Sequence, residues 1–350
     1  TFINCSSLAQ ITIPSSVKLI GKGAFVGCSS LTEIKFINHS CLSLIEDYLF
    51  SECPLLKKIS IPSSVSSIGN CAFNECTSLI EITIPFFLTK IGDGSFQKCS
   101  MLSQISIPST VKSIGKFAFY GCKSLTEIFI PSSTESIGEC AFSECASLQQ
   151  ISISSSIKVI NCNVFNNCYS LTTILIPSSV TLICENAFGG CKSLKKVKFE
   201  KPSSLTRIEK YAFDGCSSLS KIIIPSSVTS IDARAFNFCS NLIQVIIESL
   251  SSLTEIGGFA FNECSSLRSI LLPPSVVSIG EGCFSKCSLL TQVIIESQIK
   301  SIEDGTFNEC SSLAQITIPP SVNSIESCAF NGCKSLKQII IPSSCIKIGE

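Results

Sequence analysis

The sequence predicts a solenoid, a stack of short coils with a parallel β-sheet along one side. A phenylalanine recurs every 23 or 25 residues along the 350-residue chain, a cysteine follows each one by three residues, and a leucine follows the cysteine by three more. A fixed period of this length is typical of repeat architectures. We therefore expect about 15 coils, marked by Phe2, Phe25, Phe50, Phe73, Phe96, Phe119, Phe142, Phe165, Phe188, Phe213, Phe236, Phe261, Phe284, Phe307 and Phe330.

The segment Leu219–Cys239 shows what one repeat contains. Its pattern Leu-x-x-Ile-x-Ile alternates as a short strand does, with both isoleucines on one face. Pro225 ends this strand because proline has no N–H to donate. Val228 and Ile231 predict a second extended piece, and the spacing of Ala-Phe-x-x-Cys is compatible with one helical or 3₁₀ turn. Each repeat thus has about seven inward side chains that only stacking can bury.

The same letters carry a resemblance to a known family. Ile174–Ile183 followed by Ala187, Phe188 and Cys191 shows the motif, and so does Ile316–Cys333. This pattern resembles the BspA-like, or Treponema-type, leucine-rich repeat over essentially all 350 residues. The cysteine in every unit and the frequent Ile-Pro-Ser-Ser-Val are similar to the trichomonad branch of surface antigens. The resemblance implies a leucine-rich repeat solenoid and a surface-exposed adhesin that binds host matrix proteins or other cells.

The repeat runs through the chain without a linker or a change in composition, so we expect residues 1–350 to form a single solenoid domain. Both ends fall in mid-repeat, and we interpret the sequence as an excerpt of a longer protein. Three repeats carry two extra residues just after the strand, at Ile37–Leu44, Glu200–Thr206 and Glu248–Thr254. Such insertions map to loops along one edge, where repeat proteins often vary their binding surface.

Composition argues against several function classes. The chain has 26 basic and 26 acidic residues, so bulk charge gives no reason to expect nucleic-acid or membrane-surface binding. No apolar run reaches the 18 residues typical of a membrane span. The only histidine, His39, lies in the first insertion and is expected to be an exposed loop residue rather than a catalytic base. We expect no enzyme, no cofactor and no metal site.

Cysteine usage bears on the compartment of the protein. Fifteen of the 23 cysteines form one column, one in each coil. Equivalent side chains in stacked coils keep their Cβ atoms about 4.8 Å apart, farther than the roughly 3.8 Å of a disulfide. We therefore expect buried, reduced thiols that act as small hydrophobic groups. This chemistry favours a cytoplasmic location, whereas the family resemblance favours the cell surface or the extracellular space, which we take as the prediction.

Two sets of residues are candidates for partner binding. The residue between the two inward isoleucines of each strand points outward, and Ile223, Ile246, Leu271 and Ile294 hold this position in four successive coils. They predict an exposed apolar stripe about 15 Å long, unless a second strand or loop covers that face. Lys195, Lys196 and Lys198 form a dense cluster of positive charge nearby. The cluster is suited to an acidic glycan or peptide, or is simply a solvated face.

These observations favour a non-enzymatic binding and adhesion module, similar to a surface antigen. Its expected partner is a protein or a glycan, for example a component of the extracellular matrix. Two alternatives stay open. The chain could be the recognition domain of a larger receptor or signalling protein, such as a repeat array fused to a kinase. It could instead be an intracellular scaffold.

Overall fold

A computed structural model describes residues 1–350. The chain divides into two compact units, Thr1–Leu171 and Thr172–Glu350. Each unit is a parallel β-solenoid, and together they contain about 15 coils, as the repeat predicts. Nothing in the structure tests the expectation of a single domain, which stays a prediction.

Each coil of the first unit contributes up to two strands, a longer one and a two-residue one. The longer strands are β1 (Gln10–Ile13), β2 (Glu33–Phe36), β4 (Lys58–Ser60), β6 (Glu81–Thr83), β9 (Glu127–Phe129) and β11 (Gln150–Ser152). The two-residue strands are β3 (Leu44–Ile45), β5 (Ser67–Ile68), β7 (Lys90–Ile91), β8 (Ser113–Ile114), β10 (Ser136–Ile137) and β12 (Val159–Ile160). The longer strands pair as β1-β2, β4-β6 and β9-β11, and five of the six two-residue strands form one sheet in the order β3-β5-β7-β8-β10.

The second unit repeats this plan with a more continuous sheet. Its strands along the main sheet are β13 (Thr173–Ile176), β15 (Lys196–Phe199), β17 (Lys221–Ile224), β19 (Gln244–Ile247), β21 (Ser269–Leu272), β23 (Gln292–Ile295) and β25 (Gln315–Ile316). These seven are neighbours in that order. The two-residue strands are β14 (Leu182–Ile183), β16 (Arg207–Ile208), β18 (Ser230–Ile231), β20 (Glu255–Ile256), β22 (Ser278–Ile279), β24 (Ser301–Ile302), β26 (Ser324–Ile325) and β27 (Lys347–Ile348).

The seven inward positions of the repeat are confirmed. In the coil that contains β17, the inward side chains are all 0% exposed: Leu219, Ile222, Ile224, Val228, Ile231, Phe236 and Cys239. Equivalent residues of neighbouring coils pair with each other, as Ile222 does with Val245. Because each column therefore continues from coil to coil, the phenylalanine rings stack within each unit, with centroids 5.1 to 5.8 Å apart.

The turn around each phenylalanine differs from the expected 3₁₀ turn. Residues two before and two after the ring have positive φ, as Cys71 (52°) and Glu75 (59°) do around Phe73. These left-handed residues interrupt the right-handed backbone that a 3₁₀ helix needs. In return, the N–H groups of Cys71, Phe73 and Glu75 donate to carbonyls of the next coil at 2.7 to 2.8 Å. The segment therefore forms hydrogen-bonded turns that hold adjacent coils together.

The cysteine column has a hydrogen-bonding role that its spacing does not reveal. The Sγ of Cys76 donates to the carbonyl oxygen of Phe50 in the preceding coil at 3.1 Å, and Cys99 does the same to Phe73 at 3.1 Å. Column cysteines such as Cys76, Cys99 and Cys122 are free thiols. Burial raises the pKa of the Cys53 thiol to about 12, so this thiol stays protonated at neutral pH. None of the elements is a helix long and apolar enough to cross a bilayer.

Candidate functional site

The strand face of the second unit carries an exposed apolar stripe. Side chains alternate along each strand, so the residue between two buried positions points to solvent. Ile223, Leu271 and Ile294 are 39%, 48% and 43% exposed, and Ile246 is half-buried between its neighbours. Ile223 pairs with Ile246, and Leu271 pairs with Ile294. No strand or loop of this unit covers the four side chains, so they are accessible to a partner.

A groove opens at one end of this stripe, between β15 and β17. Strand β15 pairs with β13 over four residue pairs, but with β17 only at Lys196 and Lys221. One cause lies just after each strand. The N–H of Glu200 donates to Ile176 of the preceding coil at 2.9 Å, whereas Pro225, which holds the equivalent position after β17, has no N–H to donate. The second cause is the insertion after β15, which gives this coil two more residues than the next one.

The groove has a volume of about 1110 Å³ and combines positive charge with an apolar floor. Five lysines and one glutamate line it, a formal excess of four positive charges: Lys195, Lys196, Lys198, Lys201, Lys221 and Glu248. The apolar lining comes from both strands, from the coil before them and from the two prolines after the strands: Leu175, Val197, Phe199, Pro202, Ile223 and Pro225.

The two predicted sets of residues meet in this groove. Lys198 lies in the same outward column as Ile223, one coil earlier, and both line the groove together with Lys195 and Lys196. Ile246, Leu271 and Ile294 lie outside it and continue the stripe along the next three coils. The role of these residues in binding stays a prediction, but the structure places them on the same strand face of the second unit.

One ion pair lies at the end of the groove that follows the ends of the strands. The carboxylate of Glu248 accepts a hydrogen bond from Lys201 Nζ at 2.7 Å and another from the Ser226 N–H at 3.1 Å. This pair spans the intervening coil, since Lys201 belongs to the insertion after β15 and Glu248 to the insertion after β19. The bond from Lys201 holds the pKa of Glu248 below its usual range, and the Ser226 N–H adds to this effect.

The other four lysines of the groove form no salt bridge within the chain. Lys201 is the only one of the five whose ammonium group lies within 4 Å of a carboxylate. Lys195, Lys196, Lys198 and Lys221 are all exposed. Uncompensated positive charge above an apolar floor attracts an anionic ligand. The lysines, the serines and the one ion-paired glutamate of its lining suit the groove to binding such a ligand.

The first insertion forms a smaller counterpart in the other unit. A groove of about 470 Å³ lies between β2 and the end of β4, with Glu33, Lys35 and His39 in its lining. His39 is exposed and has positive φ (61°), as expected for a loop residue. Its single lysine is offset by a glutamate, so this groove lacks the excess charge of the one in the second unit.

Sequence reasoning missed Lys221 and the partnership of Lys201 with Glu248. Lys221 lies a full repeat beyond the lysine cluster, and only the stacking of coils brings it opposite Lys196. The available signal was the insertion itself: Glu200 and Glu248 replace the usual proline in two of the longer repeats. A glutamate at this position supplies both a backbone donor and a carboxylate, and proline supplies neither.

Comparison with known proteins agrees with this architecture. The stacked coils define a leucine-rich repeat solenoid. A sequence profile of the BspA type leucine rich repeat region, six copies, matches residues 1–111, 89–202, 158–252 and 246–350. The chain therefore belongs to the BspA-type leucine-rich repeat family. Among curated proteins, no significant match was found.

Several solved structures are similar to this chain. A leucine-rich repeat protein from Bacteroides ovatus is 31% identical, with 98% of this chain and 83% of that chain covered and a TM-score of 0.79. A leucine rich cell surface protein from Faecalibacterium prausnitzii is 28% identical, with 83% and 87% covered and a TM-score of 0.49. A leucine-rich repeat protein from Eubacterium ventriosum is 21% identical, with 82% of each chain covered and a TM-score of 0.49.

Proposed function

We propose that this chain is a non-enzymatic binding module of the adhesion or surface-antigen kind, which uses the strand face of its second unit. The observation that carries the proposal is that the groove and the apolar stripe lie on the same strand face. Ile223 belongs to both, and Leu271 and Ile294 extend the surface with 48% and 43% of their side chains exposed. Exposed apolar patches beside polar groups mark interaction sites on soluble proteins.

The architecture supports a preformed binding surface. Backbone hydrogen bonds between coils and stacked rings fix the strand face, so little conformational entropy is lost when a partner binds. The partner is a protein or glycan of the extracellular matrix or of a cell surface, and the protein is displayed outside the cell. This location rests on the resemblance to surface antigens of the same repeat type.

Surface labelling of intact cells with a membrane-impermeant biotin reagent tests the location. Recovery of the protein in the biotinylated fraction, with a cytosolic marker absent from it, supports display outside the cell. Detection in the lysate alone excludes an adhesin.

Binding to immobilised matrix proteins tests the surface. We expect the variant with serine at Ile223, Ile246, Leu271 and Ile294 to lose binding. A matched control replaces four exposed apolar residues that lie off the strand face: Phe238, Leu250, Val277 and Leu289. If the four-serine variant binds as well as the control variant and the unchanged protein do, the partner uses another face.

A second candidate function follows from the cysteines. Cys76, Cys99 and Cys122 are free, buried thiols, and Cys41 and Cys328 are free and exposed. Disulfides form in oxidising compartments, whereas the cytosol keeps thiols reduced. This observation favours an intracellular scaffold or the recognition domain of a larger signalling protein. The labelling experiment separates it from the adhesin.

A further inference from the structure

We propose that the groove between β15 and β17 binds an extended acidic peptide that buries an apolar side chain, and that Glu248 competes with the peptide for Lys201. The inference rests on the proposed binding function and specifies the ligand of one part of the surface. The charge of the lining indicates an anionic ligand, since five lysines face a single glutamate. That glutamate is already paired with Lys201 at 2.7 Å.

The arrangement of the lysines fits a short extended segment. Lys196 and Lys221 stand opposite each other where β15 and β17 begin, and Lys201 follows the end of β15. A strand rises about 3.3 Å per residue, so the positive charges at the two ends are on the order of 15 Å apart. An extended peptide spans this distance with four or five residues. Acidic residues at its two ends would meet lysines while its centre crosses the apolar floor.

The floor favours a peptide over a sulfated glycan. Leu175 and Ile223 are 46% and 39% exposed toward the groove, and Phe199 is half-buried beside them. Aliphatic side chains of a peptide can be buried against this surface, which releases water from both partners. A sulfated glycan offers anionic groups but little aliphatic surface. It would use the lysines and leave the floor unused.

Glu248 is an internal competitor for Lys201. Its carboxylate occupies the position where an acidic ligand would approach that ammonium group. Glu248→Gln removes the negative charge but keeps a side-chain oxygen that can accept the Ser226 N–H. The substitution therefore frees Lys201 with little change in shape. A purely structural role for Glu248 predicts no gain in affinity.

Fluorescence anisotropy with a labelled synthetic peptide tests the proposal on the full 350-residue chain. The probe has two glutamates on each side of a Leu-Ile pair. One control peptide replaces the glutamates with lysines, and another replaces Leu-Ile with Ser-Ser. We expect binding of the probe that weakens between 50 and 300 mM salt, as exposed charge pairs do (Debye length roughly 10 Å at 100 mM). Neither control peptide should bind with similar affinity.

Four protein variants complete the experiment. Replacement of Lys195, Lys196 and Lys198 by glutamate should weaken binding by about 10- to 100-fold, and Leu175→Ser with Ile223→Ser by about 5- to 30-fold. Glu248→Gln should tighten binding by about 3- to 10-fold. The matched charge control places glutamate at the exposed Lys123, Lys300 and Lys334, outside the groove, and should bind as the unchanged protein does. If the first variant fails to fold, glutamine replaces glutamate in it.

Three outcomes would overturn the proposal: no binding of the acidic peptide, unchanged or weaker binding by Glu248→Gln, or a heparin oligosaccharide that binds more tightly and is insensitive to Ile223→Ser. The last outcome would identify a glycan site. If the peptide proposal fails but the four-serine variant still loses matrix binding, the proposed function stands. The two proposals can therefore fail separately.

Discussion

The stacked phenylalanine column predicts how much one coil contributes to stability. Phe119 is 0% exposed, and its ring centroid lies 5.3 Å from those of both Phe96 and Phe142, with interplanar angles of 12° and 3°. Phe119→Leu keeps most of the apolar volume but loses two ring contacts. At about 0.5–1.5 kcal/mol each, the expected loss in free energy of unfolding is about 1–3 kcal/mol. Phe119→Ala also leaves a cavity and should cost about 3–5 kcal/mol.

Hydrogen exchange measured by mass spectrometry, together with urea unfolding followed by far-UV circular dichroism, can check these values. Each coil of a solenoid contacts only its neighbours, so faster exchange should be confined to the coils of Phe96, Phe119 and Phe142. Phe129→Ala is the control, since its ring is 69% exposed and its loss should change stability by less than about 0.5 kcal/mol. The reasoning is refuted if Phe119→Leu matches the unchanged protein or if exchange rises equally along the whole chain.

Three further predictions follow from the coil geometry. With an alkylating reagent at pH 8, the exposed Cys41 and Cys328 should react in the folded protein. The buried Cys53 should react only after urea is added. Peptide mass spectrometry can identify the alkylated residues. The contribution of the Cys53 thiol to stability should be constant below about pH 8 and fall as pH rises from 9 toward 12, because burial raises the pKa of Cys53 from 9.0 to about 12 while the unfolded thiol ionises near 9. The free energy of unfolding, measured with urea at several pH values, should fall by about 1.4 kcal/mol per pH unit for each buried thiol, and Cys53→Ala should make the slope shallower. Gly92→Ala should destabilise the protein by about 1–3 kcal/mol, because the new Cβ would lie 2.6 Å from the backbone of Gly69, and an unchanged urea midpoint would contradict this.

The groove shows where sequence reasoning stops. The outward position of Ile223 and the charge of Lys195, Lys196 and Lys198 were predictable, since alternation along a strand is a local property. The separation of β15 from β17 was not, because it depends on how the extra residues of an insertion displace one coil from the next. The contact between Lys201 and Glu248 was equally hidden, as it joins two insertions across an intervening coil.

The turn around each phenylalanine shows a similar limit. Its spacing was compatible with a 3₁₀ turn, yet residues such as Glu75 adopt positive φ. The preference of a single residue disfavours this conformation by about 1–2 kcal/mol. Hydrogen bonds to the next coil, such as that from the Glu75 N–H to the Gln97 carbonyl at 2.8 Å, offset the cost. Those bonds exist only in the stacked structure.

The sequence by itself determined the period, the seven inward columns and the outward strand column, because a repeat with a fixed register leaves stacking as the only way to bury its apolar side chains. The tertiary structure alone decided the hydrogen bonds from column cysteines such as Cys76 and Cys99 to phenylalanine carbonyls, the opening of the groove and the position of Glu248 beside Lys201. These features depend on the distance between neighbouring coils. Coil spacing results from the balance of ring stacking, backbone ladders and insertions over the whole unit, and no single repeat encodes it.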